Sequence, residues 1–398
     1  MKALKSLRLH ISIFGKTNVG KSSLLNAVTG QSVSIVSDIK GTTTDVVEKS
    51  AELFPIGPVA FLDTAGIDDK TELSNERIEK TLNVLNRTDV AVLVITADGL
   101  SDYDTGMIEK FGELDIPYLV IINKSDLEKI SPEKLAQAQS YTKNVIELSA
   151  LKTHDITDRF VSALVKLVPE DFVSPKTIAG DLLQPSDVVV LVTPIDKEAP
   201  KGRLILPQVQ TIRDILDNTC IAVVTQVDNL KYTMEMLKTK PKLVVTDSQA
   251  FKEVNEIVPA EIPLTSFSIL FARLKGDLVS FRKGANSISS LKQGDKVLIL
   301  ESCTHHAIDD DIARVKIPKL LEKKLGFKPV FEYKTGHDFP DISDYKLIIH
   351  CGACMTNRKE VLSRILIANK NNVPITNYGI VISYCLGILE RAVAVFEK

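Results

Sequence analysis

The chain has 398 residues, 44% hydrophobic and 25% charged with no tryptophan; at roughly 100–200 residues per domain this is two to three globular domains, not a disordered or fibrous chain. Lys and Arg number 49 against 51 Asp and Glu, a net charge of −2, which excludes a chain-wide basic surface for nucleic acid or an anionic membrane. Five cysteines over this length do not make a disulfide framework.

The N-terminal stretch MKALKSLRLHISIFGKTNVGKSS carries basic residues but no uninterrupted apolar region, so no signal peptide is expected. Nothing reaches the roughly 18 consecutive apolar residues of a membrane span, and a cytoplasmic protein without membrane or nucleic-acid partners is expected. There is no low-complexity segment and no repeat at a solenoid period.

From residue 7 to about 170, apolar runs alternate with helical patterns: LRLHISIF, a helix from Lys21, then VAFLDT, VAVLVI, YLVIIN and NVIELS. Continuously apolar strands alternating with helices predict a parallel sheet covered on both faces. VPEDFVSP (168–175) reads as a linker. Beyond it come DVVVLVTPID, a helix over Gln208 to Asn218, CIAVVTQVD, another helix and KLVVTD. One long amphipathic stretch, SFSILFARLKGDLVSF (266–281), follows, then GANSISSLKQGD, the strands VLILES, VFEY, KLIIHC and PITNY, and a last apolar helix from about Gly379. The expected architecture is α/β throughout: a P-loop nucleotide domain (1–172) and two further parallel-sheet, Rossmann-like domains (173–265 and 266–398).

GKTNVGKS (15–22) fits the P-loop pattern between a strand and a helix. Gly15 and Gly20 let backbone N–H groups wrap a β-phosphate at the positive end of the helix, with Asn18, Val19 and Ser23 completing the loop. Lys21 neutralises the β- and γ-phosphates and Ser22 is a Mg²⁺ ligand. DTAG (63–66) offers Asp63 to the Mg²⁺ shell and the Gly66 N–H to the γ-phosphate. NKSD (123–126) offers the Asp126 carboxylate to guanine N1–H and the exocyclic amine, donors that adenine lacks, so adenine would leave it unpaired. Asn123 braces that loop, Lys124 lies over the base, and SAL (149–151) brings Ser149 and the Ala150 N–H, the latter to the guanine oxygen. GTP or GDP with Mg²⁺ is the expected ligand.

In this order and spacing the motifs of residues 1–170 resemble the TrmE/Era-like GTPase domain shared by tRNA-modification and ribosome-assembly GTPases. That resemblance implies that GTTTD (41–45) is switch I, with Thr43 on Mg²⁺ and Thr42 its rival, and that Asn18 is a K⁺ ligand. Ile67 stands where a Ras-like enzyme carries its water-orienting glutamine, so slow intrinsic hydrolysis, stimulated by K⁺, a second subunit or a partner, is expected.

The C-terminal third holds Cys303-Thr304-His305 and His350-Cys351-Gly352-Ala353-Cys354, each ending an apolar strand. If those strands are neighbours in one parallel sheet, all three thiols meet at its carboxyl edge, where open α/β sheets bind ligands. Cys354 falls about where the next helix begins, favouring its thiolate. Three thiols suit an iron–sulfur cluster or tetrahedral zinc. His305, His350, Asp310, solvent or a partner molecule remain open for the fourth position, with His306 a substitute for His305. Cys220 and Cys385 read as core residues, Asp309 to Asp311 as a helix start, and His154 and His337 as loop residues without companions.

This C-x-H, gap, H-C-x-x-C pattern behind a GTPase domain and a middle domain resembles the HydF family of [FeFe]-hydrogenase maturation GTPases. The resemblance implies a [4Fe-4S] cluster on Cys303, Cys351 and Cys354, a middle dimerisation domain giving a homodimer or higher oligomer, and a scaffold for a transient diiron precursor. It also implies two radical-SAM maturases and apo-[FeFe]-hydrogenase as partners. The competing reading is an RNA-modification or ribosome-assembly GTPase with structural zinc.

Overall fold

The computed structural model describes residues 8–30, 37–39, 47–64, 81, 83–152, 155–169, 172, 176–194, 204–301, 311–337, 339–353 and 356–397. The chain divides into two compact units, Met1–Pro175 and Lys176–Lys398.

The first unit holds a seven-stranded sheet: β1 (Leu9–Phe14), β2 (Ser37–Ile39), β3 (Val47–Leu53), β4 (Gly57–Asp63), β5 (Val90–Ile95), β6 (Tyr118–Ile122) and β7 (Val145–Glu147), in the order β2-β3-β4-β1-β5-β6-β7. From β4 to β7 all pairing is parallel. Successive side chains of a strand point to opposite faces, and here both faces are cores. Val90, Val92 and Val94 pack with Ile11, Ile13 and the helix residues Leu24, Leu25 and Val28. Ala91, Leu93 and Ile95 pack on the other side with Phe14, Met107 and Phe111. The sheet differs from the sequence reading at one edge, where β3 and β2 run antiparallel. The segment VEKSAEL (47–53) has too few apolar residues to read as a buried strand, and hydrogen bonding to β4 sets its direction.

The second unit contains two four-stranded parallel sheets. One comprises β8 (Val188–Val192), β9 (Ile221–Thr225), β10 (Leu243–Thr246) and β11 (Leu264–Ser266), ordered β11-β10-β8-β9. The other comprises β12 (Lys296–Glu301), β13 (Val330–Thr335), β14 (Tyr345–His350) and β15 (Ile375–Asn377), ordered β13-β12-β14-β15. One apolar core runs through both, joining Val190, Val244 and Leu264 to Leu298, Ile348 and Ile375. Residue 265, set by the sequence reading as a boundary, is the central residue of β11.

The amphipathic stretch 266–281 runs through two helices. Phe267–Lys275 ends at Gly276, and Asp277 caps the next helix, Leu278–Asn286, by accepting the Ser280 N–H at 2.9 Å. A capping carboxylate satisfies an N–H that a continuing helix would use.

The two sheets are copies of one plan. In each, the second strand pairs with the first, the first with the third, and the third with the fourth. Each fourth strand has three residues and passes straight into a helix. The caps are Ser266, accepting from Ile269 N, and Asn377, accepting from Ile380 N. IPLTSFSILFARLKG (262–276) and VPITNYGIVISYCLG (373–387) align over this unit, with Pro263/Pro374, Thr265/Thr376, Ile269/Ile380 and Gly276/Gly387 identical.

Two glycines give opposite expectations. A Cβ on Gly284 would run into the backbone carbonyl of Ile375, whereas one on Gly106 meets nothing within 4 Å. Gly284→Ala should destabilise the second unit by about 1–3 kcal/mol, and Gly106→Ala should stabilise the first by about 0.5–1 kcal/mol. Urea unfolding of each variant measures both signs.

Candidate functional site

All the nucleotide motifs within the described residues sit at the carboxyl edge of the first sheet. The loop after β1 turns on Gly15 (φ 139°), Asn18 (φ 68°) and Gly20 (φ 95°). At Gly15 a Cβ would also strike the Val94 carbonyl, so the position takes only glycine. Lys21 is buried, and its Nζ donates to the carbonyls of Gly15 and of Lys16, the latter at 3.0 Å. Ser22 Oγ donates to Asp63 Oδ2 at 3.3 Å, joining two of the predicted Mg²⁺ ligands. Ser23 is exposed and Val19 is buried.

The NKSD loop is tied to the P-loop from above. Asn123 Nδ2 donates to Val19 O at 2.8 Å and Lys124 Nζ to Asn18 O at 2.6 Å. The Ala150 N–H, expected at guanine, donates to Asn123 Oδ1 at 3.1 Å. Asp126 accepts from Ser149 Oγ at 2.6 Å and lies 3.6 Å from Lys152 Nζ. The Ser149 hydrogen bond is the main reason its carboxyl is held below its ordinary 3.8, against the opposing effect of burial. Thr42, Thr43, Gly66 and Ile67 lie outside the described residues.

In the second unit β12 and β14 are adjacent and parallel, Leu300 opposite His350, and the Cys351 N–H donates to Leu300 O at 2.9 Å. The carboxyl ends of β12 and β14 therefore lie side by side, at the point where the strand order of the sheet reverses. Cys351 is buried. Cys303, His305, His306, Asp310 and Cys354 lie outside the described residues, and among the described residues no three His, Cys, Asp or Glu side chains form a metal-binding group.

The residues around Cys351 form a polar shell that sequence spacing does not reveal. His350, 1% exposed, has both ring nitrogens engaged: Nε2 with Arg364 at 2.7 Å and Nδ1 with Cys351 O at 2.8 Å. Arginine only donates, so Nε2 accepts and Nδ1 carries the proton. Burial and the Arg364 cation lower the imidazole to about 4. Arg364, also 1% exposed, pairs with Glu360 at 2.7 Å, and Glu360 takes His337 Nδ1 at 3.0 Å. His337 thus has a companion, contrary to the loop reading. The next helix starts at Arg358 behind the Asn357 cap, later than the sequence suggested for Cys354.

Tyr378 Oη is buried with no hydrogen-bond partner among the described residues. Burial raises its phenol well above the ordinary range, and Cys351, Glu301 and Asp311 push it further. Asp311 caps a short helical turn by accepting from Ala313 N at 2.7 Å and Arg314 N at 2.9 Å. Away from this edge, the Cys220 thiol is buried and donates to Gln184 O at 3.1 Å, and Cys385, raised to about 11 by burial, lies on the helix Tyr378–Cys385.

Residues 178–276 match the family model described as the hydrogen maturase F dimerization domain, and residues 279–395 that described as its tetramerization domain. The chain belongs to the hydrogen maturase F family. Residues 10–124 match the model of a 50S ribosome-binding GTPase, so the first unit of this family member is a GTPase domain. The tRNA modification GTPase MnmE of Clostridioides difficile (strain 630) is 38% identical over 151 residues, covering 37% of this chain and 32% of that protein. GTPase Der of Kosmotoga olearia is 38% identical over 128 residues, covering 30% and 28%. The chain thus spans about a third of the length of the curated relatives it matches. Among solved structures, an Era variant of Aquifex aeolicus bound to GDP.AlF4- aligns at 20% identity and a TM-score of 0.33, over 57% of this chain and 98% of that one. A score this low leaves the superposition without weight beside the strand order and motif placement. Among the described residues no helix is long and apolar enough to cross a membrane.

Ser149→Ala removes the principal hydrogen bond that lowers Asp126. A carboxyl with a depressed folded value stabilises the fold above its unfolded value and loses that contribution as pH falls through the folded one. The variant should therefore titrate Asp126 at higher pH and lose stability earlier on acidification. Carbon-13 carboxyl shifts followed against pH measure the change, and an unmoved Asp126 would contradict it.

Proposed function

We propose that the chain is a GTP-hydrolysing scaffold and carrier that assembles and delivers the diiron subcluster of the [FeFe]-hydrogenase active site, with a [4Fe-4S] cluster on Cys303, Cys351 and Cys354. The observation that supports this reading is the adjacency of β12 and β14, the two strands that the C-x-H and H-C-x-x-C motifs follow in sequence. The donor chemistry fits: thiolates hold iron–sulfur clusters, and the orphaned Tyr378 hydroxyl beside Cys351 is a donor suited to a sulfur acceptor. With three thiolates a four-iron cluster keeps one iron with an exchangeable ligand. His350, with both nitrogens engaged, suits orienting the Cys351 main chain better than ligation, so solvent, a partner molecule, His305 or Asp310 is favoured as the fourth ligand.

In the GTPase domain, Lys21 neutralises the phosphates, Ser22, Asp63 and Thr43 hold Mg²⁺, the Gly66 N–H meets the γ-phosphate, Asn18 takes K⁺, and Asp126 selects guanine. Nucleotide state then biases the contacts with radical-SAM maturases and apo-hydrogenase in the cytoplasm. On this reading the first unit binds GTP, the domain matched over residues 178–276 dimerises and the domain matched over residues 279–395 holds the cluster.

Self-association, for which both matched domains of the second unit are named, fits the β9 edge. Ile221 and Val224 are 50% and 46% exposed there. Exposed Val209 and Leu216 lie on the helix before β9, and Tyr232 and Met236 on the helix after it. An uncharged apolar edge strand is a template for pairing with a second copy. The matching edge, β13, instead carries Glu332, held by Tyr345 Oη at 2.5 Å and Lys296 at 3.2 Å.

Purified anaerobically, the protein should be brown, with absorbance near 400 nm that fades on reduction. Cys351→Ser should abolish the colour while leaving GTP hydrolysis nearly intact, and hydrolysis should run faster in KCl than in NaCl. A colourless protein with stoichiometric zinc would overturn the cluster, and equal rates in the two salts the K⁺ site. Ile221→Glu with Val224→Lys should lower the oligomer mass in sedimentation; an unchanged mass would count against the β9 edge.

A further inference from the structure

Lys275 is the last residue of the helix Phe267–Lys275 and belongs to the first of the two copies, yet it serves the second. It is 4% exposed, and its Nζ donates to Ala353 O at 2.7 Å and Thr356 O at 2.8 Å. These carbonyls bracket Cys354 in sequence and follow Cys351. Ala353 sits in the left-handed region (φ 53°), a conformation that a residue with a Cβ adopts only when its surroundings hold it there. The connection is reciprocal, because Arg358 Nε donates to Leu274 O at 2.9 Å, one residue before Lys275.

Packing alone does not call for a cation here. In the aligned stretch VPITNYGIVISYCLG the equivalent of Lys275 is Leu386, so an apolar side chain suits the same helix end in the other copy. A buried ammonium is unfavourable unless its donors are satisfied, and two of the acceptors are main-chain oxygens of residues that closely follow Cys351.

We propose that Lys275 is a positioning residue for the thiolate site: it fixes the main chain at Ala353 and Thr356, next to Cys351, and brings one buried positive charge there. The proposal rests on the cluster reading given above. One-electron reduction of a thiolate-held cluster adds negative charge, and a nearby cation in a low-dielectric setting favours the more negative state. Lys275 therefore raises the reduction potential and holds the main chain at Ala353 and Thr356 in place beside Cys351.

The test uses the full-length chain, reconstituted anaerobically with iron and sulfide, as wild type, Lys275→Met and Lys275→Arg. Iron content, thermal unfolding and a dithionite titration followed by electron paramagnetic resonance are read for each. Lys275→Met should either lose at least half its iron with GTP turnover intact, or keep its iron and show about a tenfold lower ratio of reduced to oxidised cluster at fixed potential. For a one-electron couple the latter is about 59 mV. Lys275→Arg, which keeps the charge, should recover most of either loss. Should Lys275→Met fail to fold, Lys275→Gln, which keeps a donor and drops the charge, takes its place. A neutral variant matching wild type in iron and potential would overturn the assignment of Lys275 alone. A wild-type chain that takes up no iron would overturn the cluster reading, and the role of Lys275 with it.

Discussion

Parallel pairing constrains everything else in this chain. Two parallel strands are joined only by a crossover that returns the chain to its starting edge, so each strand of such a sheet delivers its carboxyl end to the same side. In the first unit that rule gathers the P-loop after β1, Asp63 at the end of β4, Asn123 to Asp126 after β6 and Ser149 with Ala150 after β7. In the second unit it acts twice, once in each copy of the four-stranded plan. Sheet geometry is common to all three edges, and the residues just beyond the strand ends distinguish them.

The strands buried on both faces were legible because they read as continuous apolar runs, and the P-loop was legible because its backbone admits only glycine at Gly15 and Gly20. The antiparallel β3 was hidden by its charges and β11 by its three-residue length. The helix break at Gly276 was hidden by an apolar pattern that continues across it. At the cysteine edge, C-x-H and H-C-x-x-C were visible as spacing, and the adjacency of β12 and β14 met the condition set for them. The polar shell was not visible: Arg364 with Glu360 reaches His350, Lys275 reaches Ala353 and Thr356, and Tyr378 reaches Cys351 through tertiary packing that no local period marks. One further signal does lie in the sequence, the likeness of residues 262–276 to 373–387, far outside any solenoid period.

Glu360, Arg364 and His350 show what makes such a shell tolerable. A buried charge without partners would unfold this edge, whereas a fully connected network fixes each member's rotamer and protonation. Arg364 spends donors on Glu360, His350 and the Gly336 carbonyl at 3.1 Å. That assignment leaves His350 neutral with its proton on Nδ1, so the group flanking Cys351 brings a directed dipole rather than a second charge.

The two copied sheets differ most at their outermost strands, β9 bare and apolar, β13 dressed with Glu332, Lys334 and Tyr333. On the reading proposed above, a two-fold pairing through β9 is closed, because the same strand of each chain is used up in it. A β13 as bare as β9 would give each chain a second edge open to strand pairing. On that reading the charges of Glu332 and Lys334 block edge-to-edge growth at β13, and the association for which residues 279–395 are named uses other surfaces.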